Sequence, residues 1–385
     1  MKQFLALSLI ALIAPLVIFV APAGAAGDVN IPVILSLTGP AGFLGQKEQA
    51  SLRALETTVN ANGGLRGRTV HLDFADDQSN PQVTVQLVSA LVAKHAPVIM
   101  GPNFTATCQA VSALVDKNGP LTYCLSPAIF PRPNGYMFMS GPSIDDVQPI
   151  IFRYLLTRKL TNVAMITSTD ASGADFEKRV DGVLAAPEFK AIKVVTREHF
   201  SPTDISTAAQ MSRIKASGAD VLLTFTVGTP FGTLLKGISD AGLDIPVYGS
   251  GGNFTYAQMQ QYASFLPKEL FLNGQRGITP DPAATGSVRR AQDAYFTALS
   301  KAGIRSEFAS AIPWDPMNIV FEAMRRAGPD ADAKKLWSTL QSIKGYPGIE
   351  GTYDFTTHDQ RGIGGSAAAL FRYDKAKNTF NQFYP

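Results

Sequence analysis

Between residues 30 and 249, short β-rich runs alternate with stretches whose apolar residues recur at helical spacing. NIPVILSLTG (30–39) predicts a strand, and Leu52, Leu55 and Val59 mark one face of the helix after it. That helix stops at NANGG (60–64), where Gly63 and Gly64 can adopt the left-handed conformation that ends helices. TVHLDFAD (69–76) is the next strand. A helix from Pro81 to His95 follows, with Thr84, Leu87, Val88, Leu91 and Val92 facing inward. Proline suits its first position, where an N–H would lack a partner anyway. Strand PVIM (97–100), helix 105–118 and strand LTYCL (121–125) complete a first series. A second begins after YMFMSGPS (136–143), with a helix carrying Val147, Ile150, Ile151, Tyr154 and Leu155 on one side. Strands at 162–167, 193–198, 219–225 and 245–249 then alternate with helices near 174–185, 205–216 and 230–241. Helices near 283–301, 314–327 and 332–342 follow, with short strands around Tyr353–Phe355 and Ala369–Tyr373. Such alternation predicts an α/β protein with parallel sheets covered by helices on both faces, and two successive series predict two such domains.

The totals change this picture little. The 385 residues are long enough for two cores, 45% are hydrophobic and 17% charged, and the formal net charge is +3. The basic residues are dispersed, which excludes a nucleic-acid tract. The first 25 residues stand apart. Lys2, the apolar run FLALSLIALIAPLVIFV and the small-x-small exit Ala23-Gly24-Ala25 form the pattern of a secretory signal peptide cleaved near Ala25. The run is also long enough for an uncleaved anchor, against which Pro15 and the small-residue exit argue. Export makes a disulfide permissible. Cys108, in the first turn of a helix, and Cys124, near the end of the next strand, fall toward the same sheet edge. They form a bridge or remain as two buried thiols.

A search for reaction chemistry returns nothing. There is no GxSxG, HExxH, GxxxxGK[ST] or CxxC, and His71, His95, His199 and His358 have no metal-ligand spacing. No enzyme, metal or cofactor is expected. Asp76-Asp77 reads as a cation or hinge contact, or more plainly as a strand-end cap. Gly249-Ser250-Gly251-Gly252 lacks the lysine and spacing of a phosphate loop. What the chain does carry is a set of strand-to-helix turns rich in Gly, Pro, Ser and Thr: LTGPAGFLG (37–45), GPNFTATC (101–108), LSPAIF (125–130), TDASG (169–173) and VGTPFG (227–232). In an open α/β sheet all of these lie at the carboxyl edge, where ligands bind. Helix N-termini there offer unpaired N–H donors and a positive dipole end. Thr105 and Ser126 add hydroxyls, although each is also a natural N-cap residue.

LTGPAGFLGQ (37–46), NGGLRGR (62–68), DDQSNP (76–81), MGP (100–102), LSP (125–127), GADVLLTF (218–225), AGLDIPVYGSGG (241–252) and FTTHDQRG (355–362), in this order, resemble the branched-chain amino-acid-binding proteins of ATP-driven importers, the type I periplasmic binding family. The resemblance covers essentially the whole mature chain. It implies two Rossmann-like α/β sandwich lobes joined by three crossovers, near Gly141, Gln275 and Gly362. Lobe 1 would be 26–141 with 276–362, and lobe 2 would be 142–275 with 363–385. It further implies a periplasmic, monomeric receptor that closes on a small solute and docks on membrane permease subunits.

Carried over residue by residue, the resemblance gives a ligand set. Thr105 matches the hydroxyl that holds the ligand carboxylate and amine, with Asn103 and Phe104 beside it in the turn. Leu44 occupies an often aromatic slot, next to Phe43. The family's Ser-Pro-x-x-Thr reads Ser126-Pro127-Ala128-Ile129-Phe130, so a phenylalanine replaces the second hydroxyl. Ser172 stands where a tyrosine is usual. Thr229 belongs to the VGTPFG turn. The turn that normally carries an acid for the ligand ammonium reads Gly249-Ser250-Gly251-Gly252-Asn253, without one. A buried ammonium lacking a carboxylate partner costs several kcal/mol. The expected solute is therefore a carboxylate without an α-amine and with a flat apolar body, of benzoate, hydroxycinnamate or phenylpyruvate type. Phe231 and Phe254 are candidates for the same wall or for the core. Arg132 and Arg276 lie near predicted cleft edges. A branched-chain amino acid, or a sensory role on the same scaffold, is the alternative.

Overall fold

The computed structural model describes residues 27–356 and 360–384. The leader assigned to residues 1–25 lies outside them, as does His358. The first series comprises β1 (Val29–Leu35), α1 (Gly42–Ala61), β2 (Val70–Asp76), α2 (Pro81–Ala93), β3 (Val98–Met100), α3 (Thr105–Val115), β4 (Leu121–Cys124) and β5 (Met137–Met139). Its strands form one parallel sheet in the order β2-β1-β3-β4-β5. The second series comprises α4 (Ile144–Thr157), β6 (Asn162–Ser168), α5 (Ala171–Leu184), β7 (Lys193–Phe200), α6 (Ala208–Ala216), β8 (Val221–Phe225), α7 (Thr229–Asp240), β9 (Val247–Gly249), α8 (Tyr256–Gln261) and β10 (Leu270–Gln275). Then come α9 (Gly286–Lys301), α10 (Phe308–Ala311), α11 (Trp314–Ala327), α12 (Ala333–Gln341), β11 (Lys344–Pro347), β12 (Thr352–Asp354), β13 (Ala368–Asp374) and β14 (Thr379–Tyr384). The second sheet runs β14-β13-β10-β9-β8-β6-β7, parallel except where β13 and β14 join it.

Local chemistry explains these elements. The residues of β3, β4 and β8 are buried throughout, as strands covered on both faces must be. Asn80 caps α2 by accepting from the N–H groups of Gln82 and Val83, with Pro81 at the first position. Ser143 and Asp146 form a capping box that starts α4 immediately after β5. Helix α6 begins at Ala208 rather than 205, because a turn in which Asp204 accepts from the Ser201 N–H occupies the preceding residues. Helix α3 ends at Val115 rather than 118.

α9, α10 and α11 return to pack on α1, and α12 packs on β4. The chain therefore passes between the two sheets three times: after β5, after β10 and between β12 and β13. Two lobes result, one on each sheet.

Candidate functional site

The carboxyl ends of the strands in both sheets line a cavity of about 90 Å³. The first lobe contributes Asn103, Thr105, Ser126 and Ala128 from the turns after β3 and β4, and Glu48 from α1. Backbone pairing fixes the orientation of Asn103: the Ser36 N–H donates to its Oδ1 at 2.9 Å. Its Nδ2 then donates to Glu48 Oε2 at 2.5 Å. The hydroxyls of Thr105 and Ser126 lie 2.9 Å apart. Helix α3 has no side-chain cap, so N–H groups of its first turn remain for an incoming oxygen.

Glu48 is 1% exposed. Burial pushes its carboxyl well above the usual range. The Asn103 hydrogen bond pulls the other way, and the nearby charge of Asp77 adds to the rise. No Lys, Arg or His is among the residues lining the cavity.

The second lobe supplies the apolar wall. Phe176 of α5 stacks on Phe225 of β8, with centroids 4.5 Å apart and planes 18° from parallel. Tyr248 of β9 lies on the same stack, 6.4 Å from Phe176 and 11° from parallel. Its hydroxyl donates to Asn273 Oδ1 at 2.7 Å, and the Gly251 N–H donates to the same atom at 2.8 Å. Burial pushes the Tyr248 phenol up, which keeps it a donor. Gln148 of α4 donates through Nε2 to the Phe176 carbonyl at 3.2 Å. Its Oε1 is buried with no hydrogen-bond partner among the described residues. Gly251 allows this assembly because a Cβ there would lie 2.8 Å from the Asn273 carbonyl oxygen and 3.2 Å from the Phe308 ring.

Of the ligand residues expected from sequence, Asn103, Thr105, Ser126, Ala128 and Gly251 line the cavity. The others do not, each for a physical reason. Leu44 is buried in the first-lobe core, and Ile129 packs in the cluster holding Cys108 and Cys124. Phe104 is the half-buried residue preceding α3. Phe43 reaches toward the second lobe, where a Cβ on Gly228 would be 3.2 Å from its ring. Phe130 is 41% exposed, outside the cavity, beneath the Arg179 guanidinium. Ser172 is held by Asp170, the cap of α5. Thr229 opens α7 beside a separate surface groove. Asn253 spends its amide inside the fold, donating to Thr226 O and Ser250 Oγ and accepting from the Gly228 N–H.

Phe231 and Phe254 are fully buried core residues. Arg132 stands exposed 3.6 Å from Asp116, and Arg276 lies 3.5 Å from Asp281; neither lines the cavity. Cys108 and Cys124 are joined in a disulfide with Cα atoms 6.0 Å apart. The Asp76-Asp77 pair braces the turn after β1. Asp76 accepts from the Leu37 and Thr38 N–H groups, and Asp77 accepts from the Ser36 hydroxyl.

The inference that a solute ammonium would find no carboxylate partner is corrected by Glu48, which lines the cavity. Its position was readable: at four-residue intervals Leu44, Glu48 and Leu52 share one helix face, which puts a carboxyl in an apolar row. Phe176, Phe225, Tyr248 and Gln148 carried only the signal of core positions.

A family model described as periplasmic binding protein matches residues 28–378. The chain is 24% identical over 355 residues to a Brucella melitensis protein named Leu/Ile/Val-binding protein homolog 3, covering 91% of this chain and 92% of that one. Among solved structures, a type 1 periplasmic binding protein from Bordetella pertussis superposes with a TM-score of 0.79 at 21% identity, covering 93% of this chain and all of the other. A Thermomonospora curvata structure, titled a fatty acid ABC transporter substrate-binding protein, gives 0.78 at 16% identity, covering 93% and 92%. These are solute-binding proteins, not enzymes.

Proposed function

We propose that this chain, which belongs to the periplasmic binding protein family, is the receptor of an ABC importer for a small aromatic carboxylate held between its lobes. The observation that carries the reading is the composition of one cavity. The stacked rings of Phe176, Phe225 and Tyr248 meet the uncapped N-terminus of α3 with its Thr105–Ser126 hydroxyl pair. The rings match a flat apolar body, and the helix N-terminus matches a carboxylate without needing a basic side chain. The free Gln148 Oε1 would accept from a ring hydroxyl. A neutral Glu48 beside Asn103 can donate to a solute carboxylate, so an amine-free acid is compatible with its presence. In this reading the leader at 1–25 exports a monomer, its lobes are 26–141 with 276–362 and 142–275 with 363–385, and the closed form docks on permease subunits.

Glu48 also favours a second reading, a branched-chain amino acid whose ammonium would ionise it. Calorimetry against benzoate, hydroxycinnamate, phenylpyruvate, leucine and isoleucine separates the two. The first reading expects micromolar or tighter binding of an aromatic acid, about −8 kcal/mol. Tight leucine binding with no response to the aromatic acids would sink it. Repeating the titration in buffers of different ionisation enthalpy adds a second criterion: an amino acid expels the Glu48 proton, whereas an amine-free acid expels none.

A further inference from the structure

We infer that Phe130 and Arg179 form a latch across the mouth of the cleft that sets solute affinity from outside the cavity. The inference rests on the receptor reading only in taking lobe closure as the binding event. Phe130 belongs to the turn after β4, in the first lobe; Arg179 lies on α5, which packs on β6 and β8 of the second. The Arg179 guanidinium sits 3.4 Å from the centroid of the Phe130 ring. A cation over a ring face at that distance is attracted by the ring quadrupole.

Both halves are held by their own lobes. Arg179 pairs with Asp145 at 2.8 Å and Asp175 at 2.7 Å, both second-lobe residues, so its charge stays satisfied when the lobes part. The Phe130 turn is tied down by Arg361, which donates to the carbonyls of Pro127, at 2.9 Å, and Ile129. Arg361 also donates to the Gly141 carbonyl at 3.1 Å, and its guanidinium lies 5.3 Å from the Phe130 centroid. Gly141 and Arg361 stand on two of the three passages between the lobes. Opening would break the ring–guanidinium contact while leaving the other bonds of each partner in place. One five-residue stretch, Ser126–Phe130, therefore touches the cavity with its first residues, the hinge with its carbonyls and the opposite lobe with its last ring.

The test uses the full-length mature protein with one dye on each lobe, read by single-molecule energy transfer without solute, and stopped-flow release of whichever solute calorimetry identifies. Phe130→Ala should lower the closed-to-open ratio about threefold to thirtyfold. It should speed solute release by the same factor, with an unchanged association rate and unchanged rank order of solutes. Phe130→Tyr should retain the wild-type behaviour. Phe130→Leu, which keeps apolar bulk without a ring, should behave like the alanine variant; rescue by leucine would reduce the role to packing and overturn the latch. Arg179→Met combined with Phe130→Ala should be no worse than the more affected single variant, and additive effects would refute a direct coupling. An unchanged closed fraction in both single variants overturns the proposal whatever the solute proves to be. Failure of the aromatic acids to bind bears only on the solute.

Discussion

Replacing Glu48 by Gln isolates one proton. The carboxyl is 1% exposed, receives a single hydrogen bond from Asn103 and has no basic residue beside it in the cavity. Glutamine keeps the size and the acceptor oxygen and removes the ionisation. Burial raises the folded-state pKa above the 4.5 that the unfolded chain shows. Between those two values the folded state binds more protons than the unfolded one, so stability falls as pH rises through that window. Below 4.5 both states are protonated and the loss vanishes. Each pH unit of the window is worth about 1.4 kcal/mol. At pH 7 the window above 4.5 spans at most two and a half units, so the destabilisation carried by Glu48 is bounded at about 3.4 kcal/mol. The assay is the thermal midpoint of wild type and E48Q from pH 4 to pH 8, taken as a difference so that every other titrating group cancels. The two should coincide at pH 4, and E48Q should become progressively more stable above pH 5. A flat difference across the range would mean that Glu48 titrates alike in the folded and unfolded chain and is ionised in the cavity at pH 7. The argument for a neutral cavity carboxyl would then be wrong.

The disulfide, Gly251 and Glu350 each carry a further expected outcome. Replacing Cys108 and Cys124 together by Ala opens a bridge spanning 16 positions and should cost about 3 kcal/mol in a urea titration, an effect that reductant reproduces in the wild type. Gly251→Ala puts a methyl 2.8 Å from the Asn273 carbonyl and 3.2 Å from the Phe308 ring; overpacking of about 1–3 kcal/mol should weaken solute binding about tenfold or more by calorimetry. Glu350 is buried, and burial, with the charge of Asp315 beside it, pushes its pKa well up against a smaller lowering from Tyr353. By the same sign argument, Glu350→Gln should raise the thermal midpoint at pH 8 and leave it unchanged near pH 4.

The alternation of strands and helices was legible because each central strand is covered on both faces and so reads as a continuous apolar run. The exception is β10. It is absent from the expected strands, and its Leu-Phe-Leu run ends in Asn273-Gly274, a pair that also suits a hairpin turn. In the fold Gly274 is a strand residue instead, since a Cβ there would lie 2.9 Å from the Phe371 ring of β13. Glycine served close packing, and no local rule separates that use from a turn.

The cavity was legible on one side only. Asn103, Thr105 and Ser126 lie in turns, where their chemistry and their position at the sheet edge point the same way. Phe176 and Phe225 belong to a helix and a strand whose other apolar residues form the second-lobe core, and only the approach of the first lobe makes them a cavity wall. The phenylalanines that sequence favoured failed for the converse reason. Phe43 and Phe130 sit in turns at the same sheet edge, but their rings lie toward Gly228 and Arg179 of the opposite lobe rather than on the cavity. The turn at 249–253 carries no acid, while α1 delivers the Glu48 carboxyl to the same cleft from another direction. A missing charge at one position therefore excludes a counter-ion only when every element bordering the cavity has been counted. That count, made in three dimensions, moves the solute question from the presence of an acid to whether the acid is ionised.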